Sequence, residues 1–267
     1  MIPFICVNYN TSAETKKYIS NVKSLALAEQ ALIIIVENSP GEEDFNELDL
    51  HIDQNYADDK NVVLLRRENN GYFQALNEGI RYAAKKGISQ IFHVVGNNDI
   101  TFQKDFIVNM LKADLDENTL VLAPDVVSNE GFHENPHVLY PMGLGRKLKY
   151  DLYFSHYKIG NLLTRRKSTE RKFKPYDPNR KVIHMGIGAL YVLTPNFFRY
   201  FSELWEEVFL YGEEAVLAGQ LSTVQGKTMY EPSLVCFHNE SSSTSQMTSK
   251  RIYQLMQRSY RTYRKYL

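Results

Sequence analysis

Cysteine is scarce in this chain: two residues, Cys6 and Cys236, in 267. Both fall in apolar runs at opposite ends of the sequence. They read as buried free thiols in a reducing compartment, and no ligand spacing for zinc is present. Net charge is missing as well, since 31 Lys and Arg balance 31 Asp and Glu. That removes the electrostatic case for a nucleic-acid partner. No apolar run approaches the roughly 20 residues needed to cross a bilayer. Met1-Ile2-Pro3-Phe4 carries no basic segment followed by an apolar one, which argues against secretion and for a cytoplasmic protein. Two glycine signatures are absent too. The first apolar run ends in Asn8-Tyr9-Asn10 rather than in a dinucleotide fingerprint, and no Gly-rich loop ends in Lys-Ser or Lys-Thr. Dinucleotide binding and ATP hydrolysis are thereby disfavoured.

What is present is ordinary for a globular protein, with 43% hydrophobic and 23% charged residues. The first half alternates strand and helix signals. Ile2–Val7, Ala31–Val36, Val62–Leu65 and Ile91–Val95 read as apolar strands. Ser12–Leu27, with Ser12 at the N-cap, and Tyr72–Lys86, closed by Gly87, read as helices. Repeated βα units with fully apolar strands predict a mostly parallel sheet covered on both faces. Farther on, Phe102–Lys112 reads as helix, Leu120–Ala123 as strand and Ser128–Tyr140 as loop. Arg146–Lys181 is basic and aromatic; Ile187–Leu193 and Ser233–Phe237 return to strand. Glu213–Val224 reads as a short helix stopped by Gly226, Ser241–Thr248 as a polar spacer and Lys250–Leu267 as an amphipathic helix.

The chemistry concentrates at the strand ends. Ile91–Val95 runs into Gly96-Asn97-Asn98-Asp99, which delivers amides and one carboxylate to the rim of the sheet. In an open α/β sheet that rim is where a nucleotide diphosphate and its metal are held. Asn8-Tyr9-Asn10, Glu37 and Asn69-Asn70-Gly71 end the neighbouring strands on the same edge. Any one of these could be a simple turn; four in register outline a cleft.

In their order along the chain these segments resemble the family 2 inverting glycosyltransferases. Pro3–Asn10, then Ile33–Ser39, are similar to that family's opening, and Asn69-Asn70-Gly71-Tyr72 with Ala75, Asn77 and Gly79 to its third element. Asn97-Asn98-Asp99 stands in the place of the metal-binding Asp-x-Asp, in the Asn-x-Asp form of rhamnosyltransferase-like members. Gly186–Leu193, Phe209–Glu214 and Tyr230–His238 resemble the acceptor-side motifs. The resemblance spans roughly Ile2 to Ser243. It implies a GT-A fold with a nucleotide-binding half, 1–100, an acceptor half, 101–240, and a C-terminal helix, 241–267.

By the same resemblance, Asn8, Tyr9, Asn10 and Glu37 would hold base and ribose. Asn70 and Gly71 would border the nucleoside, and Asn97 and Asn98 would belong to the donor site. Asp99 and His238 would bind manganese or magnesium, an imidazole favouring manganese. Glu214 would be the catalytic base, beside Glu213 on the acceptor side. Glu37 and Glu214 stand where Asp is usual, and Asn97 is a neutral replacement. Two carboxylates side by side raise the pair's pKa, which suits a base near neutrality, although acidic residues also simply favour a helix N-terminus. The implied reaction moves a sugar, rhamnose from dTDP or a hexose from UDP, onto a glycan or lipid-linked glycan in bacterial surface polysaccharide synthesis. A non-catalytic nucleotide-sugar or glycan-binding module on the same fold is the alternative. The basic stretch reads either as a solvated loop or as a lid or acceptor platform over donor phosphates or an anionic lipid-linked acceptor. The tail helix, with Arg251, Arg258 and Arg261 interleaved with Tyr253, Tyr260 and Tyr263, would meet an anionic membrane, its own domain or a second subunit.

Overall fold

The computed structural model describes residues 1–164, 174–239 and 249–267. The polar spacer, and Arg165, Arg166, Lys167, Arg171 and Lys172 of the basic stretch, lie outside the described residues. Among those described, nine strands form one sheet. The first half builds β1 (Ile2–Asn8), α1 (Ser12–Lys23), β2 (Ala31–Glu37), α2 (Glu43–Tyr56), β3 (Val62–Arg66), α3 (Tyr72–Lys85) and β4 (His93–Asn97). Then come β5 (Ile100–Phe102), α4 (Phe106–Lys112), β6 (Thr119–Ser128), α5 (Leu144–Ser155) and α6 (Tyr157–Thr164). The chain closes with β7 (Lys181–Ile183), β8 (Leu190–Leu193), α7 (Glu213–Ser222), β9 (Lys227–His238) and α8 (Ser249–Tyr263).

The sheet order is β3-β2-β1-β4-β8-β6-β9-β5, with β7 paired to β9. β1, β2, β3 and β4 are parallel, as is β6 with β9, and these include the longest ladders. The pairings of β8, β5 and β7 are antiparallel. Apolar strands predict the parallel half because both faces are covered. One face packs Phe4, Ile33 and Ile35 with Tyr18, Ile19 and Leu48 of α1 and α2; the other packs Ile5, Ile34 and Val95 with Phe73, Leu76 and Ile80 of α3.

Several boundaries differ from expectation. Ser12 is the first helical residue of α1, and Thr11 occupies the cap without a side-chain bond. Phe102 pairs in β5 instead of starting a helix, so α4 is short. β6 runs on to Ser128 because β9 pairs along its whole length. α7 ends at Ser222, and the left-handed residue behind it is Gln225, not Gly226. α2 was not legible because it buries only Leu48, too little for a periodic signal. Gly87 follows α3 with φ +76°, as expected of a C′ glycine.

α3 approaches β1 closely at Gly79, where a Cβ would come within 2.3 Å of the Ile5 Cγ2 methyl. Ile5 is fully buried and β-branched, so it has little room to yield. Overpacking costs about 1–3 kcal/mol, against about 1 kcal/mol gained from replacing a helical glycine by alanine. Gly79→Ala should therefore lower the urea unfolding free energy by up to about 2 kcal/mol; a raised value would show that α3 does not bear on β1 here.

Candidate active site

The cleft is built along the carboxyl ends of β1, β2, β3 and β4. β4 ends at Asn97, and after the turn Asn98-Asp99 the chain enters β5. β5 runs antiparallel to β9 with Ile100 opposite His238. That register sets Asp99 beside His238, with Oδ1 and Nε2 3.4 Å apart. The same histidine stands next to Ser128 at the end of β6, and the loop beyond returns Glu134, whose Oε2 lies 3.1 Å from His238 Nδ1. The Asp99 carbonyl accepts from Asn239 N at 3.0 Å.

Burial alone would pull the His238 pKa down, but Asp99 and Glu134 outweigh it and raise it to about 10. At neutral pH, with no ion bound, an imidazolium therefore sits between two carboxylates, and Nε2 must release its proton to solvent before it can ligate a metal. Among the described residues no group of three or more His, Cys, Asp or Glu side chains could hold a metal alone. A nucleotide-linked ion does not need one, because phosphate and water supply most of its ligands. Two ligands about 2.1 Å from one ion and roughly at right angles stand about 3 Å apart, close to the Asp99–His238 separation. Glu134 would then act as the outer carboxylate that fixes the imidazole. The donor set fits a divalent cation. Asn97 adds little to it: its Oδ1 accepts from the Tyr72 hydroxyl at 2.8 Å, and its Nδ2 stands 3.4 Å from His238 Nε2.

Asn8 and Asn98 take a different place from the donor contact expected of them. Both are buried, and they form the floor of the cleft rather than its wall. Asn8 Oδ1 accepts from Thr15 Oγ1 at 2.7 Å and from Asn98 Nδ2 at 3.1 Å, while Asn8 Nδ2 donates to Asp44 at 2.8 Å and to Glu37. The second Glu37 oxygen accepts from Ser39 N at 2.5 Å. Both Glu37 oxygens therefore organise the loop after β2. Asn10 is exposed with φ +56°, and its N–H donates to Ser39 Oγ at 2.8 Å.

Above this floor lies a cavity of about 420 Å³ lined by Tyr9, Asn38, Ser39, Pro40, Arg66, Arg67, Glu68 and Asn69. Its size suits a nucleotide-sized ligand. Arg66 and Arg67 were missed from sequence, although adjacent arginines ending an apolar strand were the available signal. Asn70 is exposed at the edge, and Gly71 turns the chain into α3 against the Phe209 carbonyl, which accepts from Tyr72 N at 3.0 Å.

The acidic pair opens α7 on the far side. Glu214 reaches the turn before β8, where a Cβ on Gly188 would come within 2.6 Å of Glu214 Oε1. The Tyr72 hydroxyl is the link: it reaches Asn97 Oδ1 and, at 3.3 Å, the Gly188 carbonyl. Tyr72, Tyr191, Tyr263 and His137 all feel the Glu214 charge. The two glutamates divide their roles. Glu213 is buried, and its Oε1 has no hydrogen-bond partner among the described residues. Burial first, and the neighbouring Glu214 second, push its pKa from near 4.5 to about 8. The proton thus stays on Glu213 at neutral pH, while Glu214 is half-buried at the cleft.

α8 lies on its own domain. Tyr253 and Tyr260 pack with Phe154, and Tyr263 lies against Gly212 just before the acidic pair. Ser259 Oγ donates to the Leu210 carbonyl at 2.7 Å. Of the three alternatives open from sequence, the tyrosine face is taken up by α5, α6 and α7.

Glu213 gives a pH-dependent stability. Between about pH 4.5 and about 8 the folded chain keeps a proton that the unfolded chain releases, so stability falls as pH rises through that window and changes no further above it. Wild type should lose several degrees of melting temperature from about pH 5 to about pH 9 beyond any loss in Glu213→Gln. Identical pH slopes in the two proteins would show that Glu213 ionises normally.

The family description "Glycosyl transferase family 2" matches residues 4–186. No curated protein matches the sequence. Among solved structures, GalNAc-T7 with UDP, GalNAc and Mn2+ superposes with a TM-score of 0.63 at 13% identity, over 93% of this chain and 45% of that one. The mannosyltransferase PcManGT from Pyrobaculum calidifontis, in complex with GDP-Man and Mn2+, gives 0.58 at 13% identity over 95% and 60%. S. aureus TarS gives 0.54 at 10% identity over 90% and 37%. The chain thus spans between 37% and 60% of the length of these proteins. Their likeness is one of fold, the mixed sheet with helices on both faces described above. With the family match covering more than half its residues, this chain belongs to glycosyl transferase family 2 and has the GT-A fold.

Proposed function

We propose that the protein transfers a sugar from a nucleoside-diphosphate donor to a glycan acceptor, with inversion at the anomeric carbon. The observation that carries this reading is the placement of two unlike carboxylate sites on one cleft. Asp99 with His238 stands at the donor corner, and Glu214 stands across Tyr72 on the acceptor side. Arg66 and Arg67, paired with Glu42 and Glu78, line the cavity that would receive the nucleotide. Complexes of the similar structures with UDP or GDP-Man and Mn2+ support a nucleotide-sugar donor and a divalent cation.

Asp99 and His238 would hold the cation, and Glu134 would keep the imidazole in its orientation. A bound divalent ion supplies charge neutralisation for the departing diphosphate. Glu214 accepts the proton of the acceptor hydroxyl as that oxygen attacks the anomeric carbon and the bond to the diphosphate breaks. Protonated Glu213 spares the site a second negative charge beside Glu214. On the sequence resemblance, the donor to try first is dTDP-rhamnose, then UDP-hexoses, and the setting is bacterial surface polysaccharide synthesis at the cytoplasmic side.

One observation favours a second reading, a nucleotide-sugar-binding module without turnover: both Glu37 oxygens and the Asn97 carbonyl are already bonded inside the protein. Turnover separates the two. The purified protein should release nucleoside diphosphate from a donor only when manganese or magnesium is added, and Asp99→Ala should abolish that release. Glu214→Gln should lower kcat about a hundredfold or more while calorimetry gives an unchanged donor Kd. Metal-dependent donor binding without release would select the binding module, and a near-normal rate in Glu214→Gln would remove Glu214 from the base role.

A further inference from the structure

The outer face of α5 is the least expected surface of the fold. Leu144, Leu148 and Leu152 recur at helical spacing and are 81%, 65% and 52% exposed. The opposite face of the helix is the buried one: Phe154, Tyr150 and Tyr153 pack against α8. α6 repeats the pattern, with Gly160 against the Tyr253 ring and Leu162 59% exposed on the far side. Soluble surfaces carry single leucines routinely, but a leucine stripe continued on the next helix marks a surface that is covered in use.

Charge says by what. Residues 144–164 contain Arg146, Lys147, Lys149 and Lys158 against the single acid Asp151. That carboxylate is already bonded to Tyr260 Oη at 2.7 Å and to Arg264. The whole chain has no net charge, so this excess is local; Arg146 lies over the Tyr150 ring and Lys147 is half-buried, while Lys149 and Lys158 are exposed. A second copy meeting the same patch across a two-fold axis would bring like charges together. An anionic lipid surface meets both features at once: leucines enter the boundary of the acyl chains while lysines stay among the headgroups. No described helix is long and apolar enough to cross a membrane, so contact would be peripheral. We propose that the α5–α6 face docks on the surface of an anionic lipid bilayer, through the leucine stripe flanked by Lys149 and Lys158. One of the three alternatives from sequence placed such contact on the C-terminal helix. Instead, α8 gives its aromatic face to the protein and serves as the bed on which α5 and α6 lie.

The test is flotation of the full chain with vesicles of phosphatidylcholine alone or with about one third phosphatidylglycerol. The chain should float with the anionic vesicles, and raised salt or neutral vesicles should weaken binding. The triple substitution Leu144→Ser, Leu148→Ser, Leu152→Ser should lower the partition coefficient roughly tenfold or more, with the melting temperature maintained because these side chains are exposed. Lys149→Glu with Lys158→Glu should do the same by charge, which covers the case in which the leucine variant folds poorly. Arg258→Glu with Arg261→Glu, on the outer side of α8, should bind as wild type does. Absence of flotation with anionic vesicles, or undiminished binding by both the leucine and the lysine variants, would overturn the proposal. So would loss of binding on changing α8 alone, or a dimer in sedimentation that the leucine variant dissolves and lipid does not compete with.

Discussion

The antiparallel pairing of β5 with β9 is the constraint on which the cleft depends. A three-residue strand is a weak element by itself. Here it fixes Ile100 opposite His238, and so decides that the carboxylate ending β4 and the imidazole ending β9 meet. Because side chains alternate along a strand, a slip of one residue would turn His238 to the other face and dissolve the pair. β5 is held in place from below: Phe102 packs edge-on against Phe4 and Tyr18, and Asn21 of α1 bonds the Phe102 backbone in both directions. The apolar core thereby sets a polar geometry that no local sequence preference would produce.

The cleft also shows how a crowded acidic site is kept foldable. Asp99, Glu134, Glu213 and Glu214 gather around a few tyrosines in partly dry surroundings. If all were ionised without partners, their repulsion and desolvation would cost far more than a typical domain's net stability. His238 supplies a positive charge between the first two, and Glu213 stays neutral through its raised pKa. Glu214, half-buried, is the more accessible of the acidic pair that opens α7. The closure of α8 on Gly212 matters in this light, because it excludes water from Glu213 and so helps to keep its proton in place.

How much of this was legible in the sequence depends on whether a signal is local. The four apolar strands and the Asp99 rim were legible because alternation, burial and strand ends are written in adjacent residues. Glu134 was not, since it belongs to a loop that only the β6–β9 ladder returns to His238. Asn8 and Asn98 were placed on the right edge, but their inward direction depends on Thr11 and Thr15 of the following helix. The charge split between Glu213 and Glu214 follows from unequal burial, which two identical letters cannot encode. Nor could the tail's tyrosines announce that α5 and α6 would receive them, since an amphipathic helix records its apolar face and not its partner.

The neutral Asn97 can be understood from the same arrangement. An aspartate there would place a second carboxylate against Asp99, and its oxygen would still be the acceptor for Tyr72. Tyr72 ties the end of β4 to the Gly188 carbonyl, so the residue at 97 serves the span across the cleft as much as it serves any ligand. An amide accepts that hydroxyl without adding charge to a corner whose single imidazolium already faces two acids. Asn97 therefore holds that span without adding a charge to the corner. An ion held by Asp99 and His238 would draw its remaining ligands from diphosphate and water, so its binding and that of the donor reinforce each other by linkage.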